Sequence, residues 1–172
     1  PNARAVFFQG MNAQTFTGAT TFDYVLIDKT AGSFTLNNDF TSNQTLTFTA
    51  TNTVNITTGS NKVIISNTGS VARTGSGHVY GNLQKNIPTG TNSRTFEVGD
   101  ASVYAPVITA YTGVTGAGDI TVNTTVNDHP QIATSTINAA KSVNRFYTIT
   151  NSGVTGGSYD GTFTFVSGDV DS

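Results

Sequence analysis

Pairs of apolar residues set one position apart recur along the first half of the chain, at Phe34 and Leu36, Leu46 and Phe48, Val54 and Ile56, and Val63 and Ile65. Alternate side chains of a strand share a face, so each pair reads as a short strand directing two side chains inward. Thr35, Thr47, Asn55 and Ile64 sit within the pairs, and Asn37, Asn38, Asn52, Gly59, Asn67 and Gly69 lie between them. Asn and Gly tolerate the left-handed backbone that sharp turns demand. The unit returns about every 8 to 12 residues, a spacing that suits a sandwich or a solenoid of short strands. The shortness of the strands and the likeness of the turns favour the solenoid. Leu26, Leu46 and Ile64 follow one another at steps of about 20 residues, within the period range of stacked coils. The run Tyr24–Ile27 is apolar on both faces and is expected to be covered from outside by Ala5–Phe8.

The rhythm changes near residue 77. From "GHVYGNLQKNIPTGTNSRTFEVGD" onward the strands lengthen, and Lys85, Arg94, Glu97 and Asp100 arrive together in a chain that is only 10% charged. Six segments alternate between Gly-, Asn- and Asp-bearing turns: "HVYGNLQK", "SRTFEVG", "YAPVITAYTG", "DITVNTTV", "SVNRFYTITN" and "YDGTFTFVSG". They predict a small antiparallel sandwich. Its expected core is Phe96, Val98, Val107, Ile120, Val122, Ile149, Phe163 and Phe165, with Tyr147 at the margin. The fold expected is therefore all-β, a right-handed parallel β-helix over residues 1–77 followed by a sandwich over 78–172. Only residues 131–142 suggest a helical turn, and the β-branched Thr134, Thr136 and Ile137 argue against it.

Composition bounds the function classes. A net charge of -2, with eight basic residues scattered along the chain, lacks the concentrated basic surface that nucleic acid requires. No apolar run approaches the about 20 residues of a membrane-spanning helix, so membrane insertion by a helix is not expected. The absence of cysteine removes disulfides and thiol chemistry without fixing a compartment. Low charge with abundant Thr, Ser, Asn and Gly points to an exported protein. The chain opens at Pro1 instead of Met and is expected to be a segment of a longer one.

"GHVYGNLQKNIPTGTNSRTFEVGD", then "YAPV", "NDHP", "AAKSVNRFYTITNSG" and "YDGTFTFV", in that order and after coils such as "FTLNNDFTSNQTLTFTATNTVNITTGSNKVIISNTGSV", resemble a module of large secreted surface proteins of Bacteroidetes. The resemblance implies an adhesin or cell-surface fibre. It also implies export by the type IX secretion system, although the separate sorting domain of such proteins is not visible here.

Several residues are candidates for a site. Arg145 lies mid-strand and needs a buried partner, with Glu97 or Asp100 the expected carboxylate of a structural ion pair. Asp160, Asp169 and Asp171 are the residues calcium would use, although the EF-hand pattern is absent. Asp128, beside His129 and Pro130, reads as a turn cap, and His78 and His129 lack the spaced partners of a metal motif. Tyr80, Tyr104, Tyr111 and Tyr159 are the residues with which a tryptophan-free carbohydrate-binding module would contact glycans. Thr-x-Thr triplets from Thr45 to Thr53 resemble ice-binding ranks, but "YVLID" and "KVIIS" interrupt them. A polysaccharide-degrading β-helix would need paired carboxylates on neighbouring coils. Asp23, Asp28 and Asp39 do not recur at the coil spacing, and Lys29, Lys62 and Arg73 do not cluster with them. The expected role is structural or adhesive and non-catalytic, without a cofactor. Expected partners are extracellular glycans, surface proteins or further copies of the chain.

Overall fold

A computed structural model describes residues 4–171. The first strands are β1 (Ala5–Gly10), β2 (Gln14–Phe16), β3 (Thr20–Lys29), β4 (Phe34–Leu36), β5 (Phe40–Phe48), β6 (Ile56–Ile65) and β7 (Ser70–Arg73). All of their pairings are parallel: β1 on β3, β3 on β5, β2 on β4, β4 on β6, and β5 on both β6 and β7. A strand that pairs in parallel with the strand one coil later is the signature of a solenoid, and the stack makes about five turns.

Apolar pairing is what the short strands supply. Phe34, Leu36, Leu46, Phe48, Val54, Ile56, Val63 and Ile65 are all buried, as their spacing predicts. They stack in rows across coils, for example Val25, Leu46 and Val71. Leu26, Leu46 and Ile64 do not form such a row. Leu26 pairs with Thr47 and Ile64 with Thr41, because the register places Val25 and Ile27 inward instead. Ala5–Phe8 does not cover Tyr24–Ile27 from outside either. It lies beside that run as the neighbouring strand, Ala5 opposite Tyr24 and Phe8 opposite Ile27, so the outer face of β3 keeps Tyr24 exposed.

Polar side chains lock the corners, where backbone groups have no ladder partner. The Asn38 Oδ1 accepts the Gly18 N–H at 2.8 Å, the Asp39 Oδ1 accepts the Lys62 N–H at 2.9 Å, and the Asn55 Oδ1 accepts the His78 N–H at 3.1 Å. Buried Asn52 accepts the Lys29 N–H at 3.0 Å and donates to the Val54 carbonyl at 2.8 Å. Gly77 packs so closely on it that a Cβ there would stand 2.1 Å from the Asn52 Nδ2. Asn52→Ala strands a buried donor and a buried acceptor, so a loss of about 1–3 kcal/mol is expected. Urea unfolding with an unchanged m-value checks it.

The later strands are β8 (Val79–Ile87), β9 (Gly90–Phe96), β10 (Val98–Gly99), β11 (Val107–Val114), β12 (Gly118–Val126), β13 (Arg145–Ser152) and β14 (Ser158–Phe163). Parallel stacking runs on past residue 77: β8 pairs with β6, and β10 with β8. One row of inward residues therefore crosses that point as Phe34, Ile56, Val79 and Val98, and another as Phe40, Val63, Leu83 and Val122. Antiparallel strands then finish the molecule. β12 adds to β8 and β13 to β12, while β9, β11 and β14 form a second, three-stranded sheet facing them. Residues 131–142 hold only two single 3-10 turns, Ile132–Thr134 and Ala139–Lys141.

Phe96, Val98, Val107, Ile120 and Val122 are buried as expected. Ile149, Phe163 and Phe165 are not core residues, with exposures of 41%, 47% and 52%. For Ile149 and Phe163 the reason is topological: β13 is the last strand of the large sheet and β14 an outer strand of the small one, so neither has a further strand beyond it among the described residues, and Phe165 follows β14 outside any strand.

Candidate functional site

The charged cluster after residue 77 builds a buried junction. β10 ends in a tight loop closed by Asp100, whose Oδ1 accepts the N–H groups of Ser102 and Val103, each at 2.8 Å. Its Oδ2 accepts from the Arg145 Nη2 at 2.7 Å. The Asp100 carbonyl accepts from the His78 Nε2 at 2.7 Å and the Asn55 Nδ2 at 3.4 Å. One residue thus ties the coil corner, the small loop and the antiparallel strand together.

Arg145 enters from β13 with its side chain only 1% exposed. It donates from Nε and Nη2 to both carboxylate oxygens of Asp169, at 2.6 and 3.0 Å, and from Nη1 to the Thr124 hydroxyl at 3.4 Å. The expected pairing with Asp100 is present. Glu97 is not its partner, and Asp169 takes the other half of the guanidinium fork, which suits bidentate pairing. Burial opposes the Arg145 charge, but Asp169 and Asp100 hold its pKa above the ordinary value. The Arg145 hydrogen bond lowers Asp169 against the opposing effect of burial. At Asp100 burial pushes upward and is outweighed by the Ser102 and Val103 N–H groups and by Arg145.

Glu97 pairs instead with Lys85, Nζ to Oε2 at 2.6 Å, with both side chains buried. Burial drives each toward its neutral form, raising Glu97 and lowering Lys85, while their mutual attraction opposes that drive. His78 is buried and held below its ordinary pKa by desolvation, partly countered by the Asp100 and Ser76 carbonyls. Its ring nitrogens face those two carbonyls, so neither is turned toward a metal.

The aspartates proposed for calcium do not converge. Asp169 binds Arg145, Asp171 accepts from Ser142 and Asn144, and Asp160 stands opposite Ala110 on β14. Among the described residues no group of three His, Cys, Asp or Glu side chains is placed to hold a metal. Asp128 accepts from the Ser142 hydroxyl at 2.6 Å and so anchors the long 127–144 loop.

The tyrosines do not form one platform. Tyr104 lies under the Arg73 guanidinium, 3.9 Å from ring centroid to Cζ, and Tyr80 is on the outer face of β8. Tyr111 is buried, and Tyr159, 73% exposed, stands beside it with ring centroids 6.2 Å apart. These two line a cleft of about 330 Å³ together with Ile120, Ile149 and Val154. A larger hollow of about 470 Å³ under the 127–144 loop is lined by Ile132, Ile137 and Val143, and its cation, Arg145, is already committed. The cleft escapes a reading of the sequence because it arises where two sheets part. The run of Tyr, Ile and Phe on consecutive edge strands is its only local trace.

Chemistry-bearing groups are otherwise used up internally. Among the described residues, seven of the eight basic side chains hydrogen-bond or ion-pair with their own chain, Lys141 being the exception. Among the same described residues, nine of the ten acidic side chains do so, all but Asp160. Even Lys29, fully buried, donates to the Asn12 and Gly10 carbonyls and closes a coil corner.

Fold and site define an all-β protein in which a parallel β-solenoid passes into antiparallel sheets. No protein-family model matches the chain, no curated protein matches it, and no solved structure does.

Proposed function

We propose that the chain is a structural and adhesive segment of a large extracellular bacterial surface protein or fibre, with no catalytic activity of its own. The observation that carries this reading is the commitment of nearly every charged side chain to internal hydrogen bonds and ion pairs. A catalytic groove needs groups left free for substrate; a load-bearing stalk needs its polar groups joined across coils, which is how these are spent. Stacked backbone ladders suit extension, and outward Thr, Asn and Tyr suit many weak contacts. The resemblance of the segment order to that of secreted Bacteroidetes surface proteins supports the cell surface as its location and type IX secretion as its route.

A second reading, a carbohydrate-binding module, is favoured by one observation: exposed Tyr159 beside Tyr111 at a cleft that also offers Ser158. An aromatic face flanked by a hydroxyl group suits a sugar ring. One experiment addresses both readings. The purified chain is incubated with a panel of extracellular polysaccharides and assayed for retention and for released reducing ends. Weak retention without release is expected, and release proportional to protein concentration would overturn the non-catalytic reading. Retention on a single polymer that Tyr159→Ala abolishes, with circular dichroism unchanged, selects the binding module over the stalk.

A further inference from the structure

The outward side chains of the coils line up as the inward ones do. β2, β4, β6 and β8 carry Thr15, Thr35, Thr57 and Tyr80 in one row, each opposite the next, at the spacing of about 4.8 Å that a ladder imposes. The next position in that row is Gly99, where a Cβ would stand 2.2 Å from the Val103 carbonyl. Glycine therefore lets the loop after β10 fold back on itself, and Ala101 of that loop comes to lie beside Tyr80.

Two hollows meet at this pair. One, of about 260 Å³, extends over Gly32, Ser33, Thr53, Asn55 and Thr57; the other, of about 430 Å³, extends over Asp100 and from Thr124 to Asn127. Tyr80 and Ala101 line both, so the two make one groove that crosses the coils, with a 39% exposed aromatic ring at its midpoint. Its lining is polar but uncharged. Among the described residues, the hydroxyls of Ser33, Thr57, Tyr80 and Thr125 and the side-chain amide of Asn127 make no hydrogen bond within the chain. No lysine, arginine or histidine lines either hollow, and the one carboxylate, Asp100, is spent on Ser102, Val103 and Arg145. Asn127 also has the only positive φ outside glycine among the described residues, 127°. The Asn144 carbonyl fixes its N–H at 3.0 Å, and the Ser142 hydroxyl fixes its neighbour Asp128 at 2.6 Å. The base of the 127–144 loop thus holds a disfavoured backbone at the end of the groove, and such outliers gather at binding sites.

We infer that the groove is a binding site for a neutral, linear oligosaccharide. A sugar ring has an apolar C–H face and a rim of hydroxyls. The face stacks on Tyr80, and the rim exchanges hydrogen bonds with the uncommitted hydroxyls and amide on either side. The chain is linear because the hollows lie in line across the coils, and neutral because the lining offers an anionic polymer no cation. The groove shares no residue with the Tyr159 cleft. The inference rests on the adhesive reading above and names the surface and the ligand class through which it acts.

Chemical-shift mapping of the isotope-labelled chain tests it, with cellohexaose, xylohexaose and chitohexaose as neutral probes and hexagalacturonate as the anionic comparison. At least one neutral probe is expected to shift Thr57, Tyr80, Ala101 and Asn127 together, and hexagalacturonate none of them. Tyr80→Ala should weaken that binding by about tenfold, Tyr80→Phe should keep most of it, and Tyr159→Ala should leave it unchanged. Asn127→Gly accepts the positive φ without strain, so it should weaken binding while the fold stays intact, and it replaces Tyr80→Ala if that variant unfolds. Shifts confined to the Tyr159 cleft, equal binding of hexagalacturonate, or no shift with any probe overturns the inference. Variants at Tyr80 and Asn127 that polysaccharides retain as well as the wild type also overturn it, and leave the adhesive reading standing. A wild-type chain that no polysaccharide retains and no probe shifts removes both.

Discussion

Arg145→Met is expected to cost about 3–5 kcal/mol of stability, the range for removing one partner from a buried ion pair. The substitution leaves Asp100 and Asp169 facing each other with no cation, and it frees the loop that His78 and Asn55 grip from the other side. Arg145→Lys should recover only part of the loss, since a single ammonium cannot span two oxygens of Asp169 and one of Asp100. Urea unfolding near neutral pH measures both. The pH dependence follows from the direction of the shifts. Asp100 and Asp169 titrate below their ordinary value in the folded protein. Their contribution is therefore present above the unfolded value, about 4, and is lost as pH falls through the folded values. In Arg145→Met that contribution is missing, so the gap between variant and wild type should narrow on acidification. A constant gap down to about pH 2 would contradict the assignment.

Lys85→Met is expected to destabilise by a similar amount, about 3–5 kcal/mol, because it leaves Glu97 buried without its partner. The double replacement Lys85→Met with Glu97→Leu should be close to neutral or stabilising. The signs give the reason. Glu97 is raised by burial, so its contribution is present below its unfolded value and is lost as pH rises through the folded one. Lys85 is lowered, so its contribution is present above its unfolded value and is lost as pH falls through the folded one. Where both partners are charged, the pair carries its desolvation cost on both. A double-mutant cycle with equilibrium unfolding reads the coupling directly. A double variant as unstable as the single would mean that the pair holds the turn geometry between β8 and β9 as well as its own charges.

The two clusters differ in how far the sequence exposes them. Arg145 in the middle of an apolar strand announces a buried cation, and the demand for a carboxylate follows from electrostatics alone; Asp100 was among the expected partners and is one. That Asp169 shares the guanidinium, and that Glu97 turns to Lys85, depends on which strands lie side by side. Asp169 is 24 residues beyond Arg145 and reaches it only because a 3-10 turn after β14 folds back. Local pattern carries no information on such a return.

Periodicity within a strand needs only the chain itself, and so the sequence determined much here. The inward pairs from Phe34 to Ile65, the six later strand segments, one of which splits into β9 and β10, and the buried Phe96, Val98, Val107, Ile120 and Val122 all follow from alternation and turn chemistry. Lateral register needs a neighbour, and the tertiary structure decided everything that rests on it. It set Val25 and not Leu26 in the row beneath Leu46, laid Ala5–Phe8 beside β3 instead of over it, and carried the parallel stack past residue 77. It also left Ile149 and Phe163 on edge strands. An apolar residue in a strand states a preference for burial, but whether anything covers it is fixed by the next strand over. The last strand of a sheet has none.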